Sequence, residues 1–175
     1  LDANYARTSK VFAGLMLCQW AFAILLAVVV SPFGWEGKVQ TVNVQAYDYY
    51  LRGRQFFYQF RQKGFEYARE MFTRAVEADP RYALAYAGLA DCHTFLYMYK
   101  EKVEVNLTRA DEYSRRALEL DPDLAEAHVS RGNALALRKS FQQAGAEFET
   151  AIRLDANLFE AYYFYARAYY SQGKM

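Results

Sequence analysis

The sequence predicts an all-α protein: one apolar helix long enough to span a bilayer, followed by a solenoid of antiparallel helix pairs. Three observations predict it. Val11 to Val30 is a run of twenty residues without a charge. A motif of small residues, one larger residue and a closing Asp recurs from Ala68, Ala110 and Ala144, at separations of 42 and 34. The composition, 54% hydrophobic and 23% charged, is that of a chain that folds around a core.

Composition also excludes whole classes of function. Net charge is +1, with 21 basic and 20 acidic residues interspersed, so no basic field recommends nucleic acid as a partner. Cys18 and Cys92 are the only cysteines, which is too few for a disulfide framework or a cysteine-based zinc site. The chain opens on Leu1, so residues upstream are expected to have been processed or trimmed.

The first element is the apolar run VFAGLMLCQWAFAILLAVVV, residues 11 to 30. At about 1.5 Å per residue it reaches roughly 30 Å, the thickness of a bilayer's hydrocarbon core. Eleven of its residues are Leu, Ile, Val or Phe, favouring insertion by about 3–7 kcal/mol together. A secretory signal would have a shorter apolar region and a small-residue cleavage site, which AVVVSPFGW does not clearly offer. A buried core helix is the other alternative, and the membrane anchor is the expectation carried forward. Gln19 and Trp20 are the residues of this span expected to bond to a neighbouring helix.

Arg7 and Lys10 precede the span, whereas Glu36 and Lys38 follow it and cancel. The positive-inside bias therefore predicts a single-pass protein with a cytoplasmic N-terminus and the remainder extracytoplasmic or periplasmic. Residues 31 to 43, with Pro32, Gly34 and Gly37, read as a linker. Trp35 suits the membrane interface.

Beyond the linker the repeat begins. AREMFTRAVEADP (68–80), SRRALELDP (114–122) and AGAEFETAIRLDA (144–156) align Ala75, Ala117 and Ala151, and end in Asp-Pro, Asp-Pro and Asp-Ala. Small residues let paired helices approach while large ones fill the gaps between pairs. Pro80 and Pro122 would stop one helix and suit the start of the next. Repeat one carries three extra residues near YQFRQKG and repeat two eight near YMYKEKVEVNLTR, both expected as longer turns.

A period of 34, with A-x3-F-x2-A ending in P, resembles the tetratricopeptide repeat (TPR) family over residues 44 to 175. In its first helices the pattern falls on Tyr49, Gly53 and Phe56, on Tyr86, Leu89 and Ala90, and on His128, Gly132 and Leu135. Its second helices match Phe72 and Phe148, with Ser114 departing between them. The resemblance implies repeats at about 44–80, 81–122 and 123–156 and a partial fourth at 157–175.

A finer likeness lies in AYDYYLRGRQFFYQF and DPRYALAYAGLADCH, which are similar to the repeat region following the transmembrane helix in many bacterial membrane-bound serine/threonine kinases and adenylate cyclases. Residues 1 to 175 contain no kinase Gly-rich loop, H-R-D or D-F-G element. A catalytic domain of that kind is expected only upstream of Leu1.

No residues recommend catalysis. Asp91, Cys92 and His93 are adjacent, so on a helix they point apart and read as structural, as does His128. Asn106-Leu107-Thr108 matches the short glycosylation pattern, which carries little weight alone. Paired carboxylates, phosphate loops and triads are missing from the sequence, so the chain is expected not to be an enzyme and to use no cofactor or metal.

Stacked repeats expose a groove lined by their first helices. The resemblance implies that Tyr47, Tyr50, Arg54 and Phe57 face it from repeat one, and Asp91 from repeat two with Leu84, Ala87 and Thr94. Asn133 faces it from repeat three with Glu126 and Val129, and Tyr163, Arg167 and Tyr170 from the fourth with Glu160. Tyrosine and arginine are the residue types that dominate binding hot spots. The Lys/Asn clamp that some members use for a chaperone's C-terminal carboxylate is not matched, since Tyr50 and Val129 stand at its positions.

In the closing helix Tyr162, Tyr165 and Tyr169 take the packing positions and are expected in the core, and SQGKM reads as a turn before a further helix or subunit that covers them. The expected function is a membrane-anchored protein-interaction scaffold, a structural or assembly subunit of a larger membrane complex such as a respiratory or photosynthetic one. Its expected partners are other protein subunits, together with the bilayer through residues 11–30 and no nucleic acid. The alternative is a sensor or regulatory module of a membrane signalling protein.

Overall fold

The computed structural model describes residues 43–100 and 102–173, which form seven α-helices. These are α1 (Val44–Phe57), α2 (Gln62–Ala78), α3 (Ala83–Tyr99), α4 (Glu104–Leu120), α5 (Ala125–Leu137), α6 (Phe141–Leu154) and α7 (Phe159–Ser171). The expected span at 11–30, Gln19 and Trp20 within it, and the linker up to residue 42 lie outside the described residues. Among the described residues, no helix is long and apolar enough to cross a membrane.

The boundaries follow from local chemistry that recurs with the repeat. At the ends of α2, α4 and α6 the chain leaves the helix at Asp79, Asp121 and Asp155, whose backbones are extended. Each of these residues donates its N–H to the alanine four positions back, at 2.9 Å in all three cases. Each carboxylate then accepts the N–H two positions on, from Arg81 at 3.0 Å, Asp123 at 3.2 Å and Asn157 at 2.8 Å. Because the Asp side chain makes this turn itself, Ala156 can stand where the other repeats have proline. Asn43 opens α1 in a related way, accepting from Gln45 N–H at 2.9 Å and donating to the Ala78 carbonyl at 3.2 Å.

The extra residues of repeats one and two lengthen helices instead of turns. Leu137, the end of α5, corresponds to Phe95, yet α3 continues four residues further to Tyr99. Likewise Phe141 corresponds to Leu107, while α4 starts three residues earlier at Glu104. In repeat one, α2 begins at Gln62, three residues before the position that corresponds to Phe141. Helical residues satisfy their own backbone groups, and the added turn of α3 brings Leu96 and Tyr99 beside Phe95 over Phe65.

The first helices form one layer in which α1 touches α3, α3 touches α5 and α5 touches α7. The second helices form the other, each packed on its own first helix and on the next one, with none of α2, α4 and α6 in contact with another. An inner layer that is continuous and an outer layer that is splayed give a concave inner face.

The packing between pairs rests on close approach. The ring of Phe72 lies between Gly53 and Gly88, where a Cβ would stand only 2.6 Å and 2.8 Å from it. Phe148 meets Gly132 in the same manner, at 2.6 Å, and its other side carries Tyr165 at 5.5 Å between ring centres. The last helix departs from expectation. Tyr162 and Tyr169 are 48% and 44% exposed and thus not core residues. Tyr165 alone of the three packs inward, its hydroxyl donating to Glu149 at 2.6 Å.

Candidate functional site

The concave face holds a cavity of about 520 Å³ lined from all four first helices. Tyr50, Arg54 and Phe57 reach it from α1, Asp91 and Phe95 from α3, Glu126 and Val129 from α5, and Glu160, Tyr163 and Phe164 from α7. Successive first helices present the same face inward, so residues about 40 apart in sequence converge.

Aromatic rings make the walls. Phe57 meets Phe95 edge-on at 5.1 Å and Phe65 at 5.4 Å, Phe95 meets Phe164 at 6.0 Å, and Tyr163 meets Phe164 at 5.0 Å. The first and last helices are tied across this face by a polar chain. Arg54 Nη2 donates to the Tyr58 hydroxyl at 3.0 Å, which donates to Glu160 Oε1 at 3.2 Å. The Arg54 guanidinium also lies 5.3 Å from the Tyr58 ring centre and 5.9 Å from that of Tyr50.

Asp91 is the odd group. Its Oδ1 is buried and has no hydrogen-bond partner among the described residues. Burial pushes its carboxyl up to about 7; the neighbouring Ser130 hydroxyl offsets part of this, and the charges of Glu160 and Glu126 add to it. Thr94 Oγ1 and Asn133 Nδ2 are buried without partners as well, on the inward positions of α3 and α5.

The expected groove residues divide. Tyr50, Arg54, Phe57, Asp91 and Tyr163 line the cavity; Tyr47, Asn133, Arg167 and Tyr170 do not. Tyr50 is largely core, 7% exposed between Phe72 and Tyr82, and burial drives its phenol up to about 12. Asn133 is buried, Arg167 is engaged with Met98 Sδ, and Tyr47 and Tyr170 face solvent.

Sequence reasoning missed Tyr58, Phe60, Phe95, Tyr99, Phe159 and Phe164, which also line the cavity. Tyr58, Phe60, Phe95 and Tyr99 cluster at the ends of α1 and α3, beside the extra residues, and the concentration of aromatics in YQF and FLYMYK was the available signal. Phe60 has φ 47° and is 62% exposed. A bulky residue held in the left-handed region is strained, a condition that clusters at binding sites.

The adjacent trio on α3 diverges. Asp91 faces the cavity, the Cys92 thiol is buried with its pKa pushed well up by desolvation, and His93 turns to Asn106. His93 Nδ1 is 2.9 Å from Asn106 Oδ1 and its ring stacks on Tyr113 at 5.7 Å. Burial lowers its pKa, which leaves a neutral imidazole donating to Asn106. Among the described residues, no group of three or more His, Cys, Asp or Glu could hold a metal ion.

No protein-family model matches the chain. Protein SGT1 homolog of Oryza sativa subsp. japonica is 38% identical over 85 residues, 49% of this chain and 21% of that protein. RNA polymerase II-associated protein 3 of Xenopus laevis is 32% identical over 102 residues, 58% of this chain and 14% of that protein. The matches thus span less than a quarter of the length of either relative. Among solved structures, the first TPR domain of human RPAP3 superposes with TM-score 0.59 at 19% identity, covering 74% of this chain and 93% of that one. The second TPR domain of human RPAP3, in complex with the HSP70 peptide SGPTIEEVD, gives TM-score 0.55 at 25% identity, covering 71% of this chain and 95% of that one. The seven helices of residues 44–171 therefore have the tetratricopeptide fold: three helix pairs and one further first helix.

Proposed function

We propose that this region is a protein-docking module whose first helices grip an extended segment of another protein. The observation that carries this reading is the concave cavity walled by Phe57, Phe95, Phe164 and Tyr163, since rigid aromatic side chains around a desolvated pocket are the usual anchors of binding energy. The second TPR domain of human RPAP3, which this chain is similar to, holds a peptide ending in EEVD; here the segment is not of that acidic kind. Asp91, Glu126 and Glu160 face the cavity, and Tyr50 and Val129 stand where a carboxylate clamp would need polar or basic groups. The role is docking, with no reaction of its own.

Replacing Phe57 and Tyr163 together with Ala tests this. Partner affinity is expected to fall about thirtyfold, as loss of two anchors worth about 1 kcal/mol each would require, and co-purification with it, while helicity by circular dichroism is unchanged. An unaltered pull-down with intact helicity would overturn the groove assignment.

We further propose that residues 11–30 anchor the module in a bilayer with the N-terminus cytoplasmic, so that it holds its partner at a membrane as a structural or assembly subunit of a larger complex. Support comes from the length and apolarity of the run. Alkaline washing of membranes should leave the chain in the pellet, and its release would refute anchoring. The kinase and cyclase likeness supports the alternative, a sensor module of a signalling protein, which a catalytic domain encoded immediately upstream would favour.

A further inference from the structure

We propose that the cavity seats a lysine or arginine carried by an apolar or aromatic segment of the partner protein, its cationic head at Asp91 and its stem along Phe57, Phe95 and Tyr163. The inference rests on the docking reading above and specifies the partner's chemistry. Four charged side chains line the cavity: Arg54, Asp91, Glu126 and Glu160. The one cation among them is already engaged, bonded to Tyr58 and lying against two tyrosine rings. Glu126 and Glu160, joined by Asp91 when it ionises, outnumber it and set the sign of the site.

Asp91 makes this more than an acidic cluster. Its Oδ1 is a buried acceptor without a donor among the described residues. A buried oxygen without a donor makes the ionised carboxyl costly, and a charged donor that brings no acceptor of its own, meeting the group from the cavity it lines, offsets that cost best. A lysine ammonium or an arginine guanidinium has this property, and both carry a stem that covers apolar surface. The surrounding rings favour a cation over their faces. An acidic segment would instead add negative charge beside Glu126 and Glu160 and against a buried carboxyl that already resists ionisation. With a net charge of only +1 the chain exerts little long-range attraction on either sign, so selection has to come from the cavity.

The test uses the full chain in a non-ionic detergent and short, terminally blocked, fluorescent peptides in which phenylalanines flank a central Lys, norleucine or Glu. Fluorescence polarisation should rank Lys above norleucine and Glu last, with Lys at least about tenfold tighter than Glu. Asp91→Asn, which keeps the shape, should erase the preference of Lys over norleucine while leaving norleucine binding in place. Glu126→Gln should reduce the preference in part. Equal or tighter binding of the Glu peptide, no distinction between Lys and norleucine, or an unchanged ranking in Asp91→Asn would each overturn the proposal. Failure of all three peptides together with concentration-dependent self-association would give the cavity to a second copy of the chain and overturn it too. If the Glu peptide binds and the Phe57→Ala, Tyr163→Ala double variant loses it, the docking reading stands and only the cationic one falls.

Discussion

At the first junction between repeats Phe72 lies between Gly53 and Gly88; at the second the corresponding residue is Ser114, with Ala90 and Ser130 in the glycine positions. Both junctions are buried, with Ser114, Ala90 and Ser130 all fully inaccessible. The first has a broad core in which Tyr50, Tyr82 and Leu89 surround the ring of Phe72. The second has the alanines Ala87, Ala117 and Ala127, bordered by Tyr86, Leu118 and Leu124. It replaces the missing ring with polar links: the Ser130 hydroxyl donates to the Glu126 carbonyl at 3.0 Å, with the Ala87 carbonyl as the alternative acceptor at 3.3 Å, and Asp111 pairs with both Arg131 and Arg115. One fold position can thus be filled by apolar volume or by small residues flanked by charge. The two solutions should respond differently to mutation, salt and pH.

The largest effect is expected where volume carries the junction. Phe72→Ala should cost about 3–5 kcal/mol, because the two glycines facing the ring leave nothing to collapse into the cavity; urea melts of variant and parent measure it. Filling the other junction should also hurt, though less. Ser114→Phe introduces a ring opposite Ala90 and Ser130 and is expected to cost about 1–3 kcal/mol by overpacking. If it stabilised the chain, the two junctions would be interchangeable and the contrast between them would fail.

Charge is the next means of telling them apart. Burial alone would raise the Asp111 carboxyl, but the Arg131 hydrogen bond and the charges of Arg131 and Arg115 outweigh it and hold the pKa below the usual range. A carboxylate lowered in this way adds stability above its unfolded pKa and gives it up as pH falls through the folded one. Asp111→Ala should therefore cost about 1–2 kcal/mol at neutral pH, less at high salt, with the cost starting to shrink near the unfolded pKa of about 4 and vanishing only below the folded one. Phe72→Ala should show no such dependence.

The smallest expected effect concerns His128, at the base of the third repeat. Its Nδ1 lies 2.6 Å from Glu147 Oε2 and its Nε2 2.9 Å from the Pro122 carbonyl, so both nitrogens face acceptors and both can donate only in the imidazolium. The Glu147 hydrogen bond raises its pKa against the opposing cost of burial, and the Pro122 carbonyl adds to the rise. The stabilisation is complete below the unfolded pKa and is lost as pH rises through the folded one. His128→Ala should accordingly cost more at pH 6 than at pH 8, by under about 1 kcal/mol once solvent screening is allowed for.

Much of the fold was legible because it is written in local chemistry. The Asp turns at 79, 121 and 155 need only the Asp side chain and the next few residues, so their spacing announced the repeat. The groove positions of α1 and α3 came from the family resemblance, and the cavity takes most of them but not Tyr47 or Thr94. What escaped sequence reasoning depends on contacts distant in the chain. The inserted stretches looked like longer turns, since nothing in QKG or YMY says that these residues extend two helices whose Phe65 and Phe95 pack together. Arg167 looked available until Met98 was placed beside it.

The sequence by itself determined the helix pairs and their order, because these arise from a 3.6-residue period and from turns that Asp makes alone. Only the tertiary structure decided that Asp91 keeps a buried oxygen without a partner among the described residues, that Arg54 is tied through Tyr58 to Glu160, and that aromatics from the ends of α1 and α3 and from α7 close one cavity. Solvation and pairing are properties of what surrounds a group, and those surroundings come from residues up to about a hundred positions away.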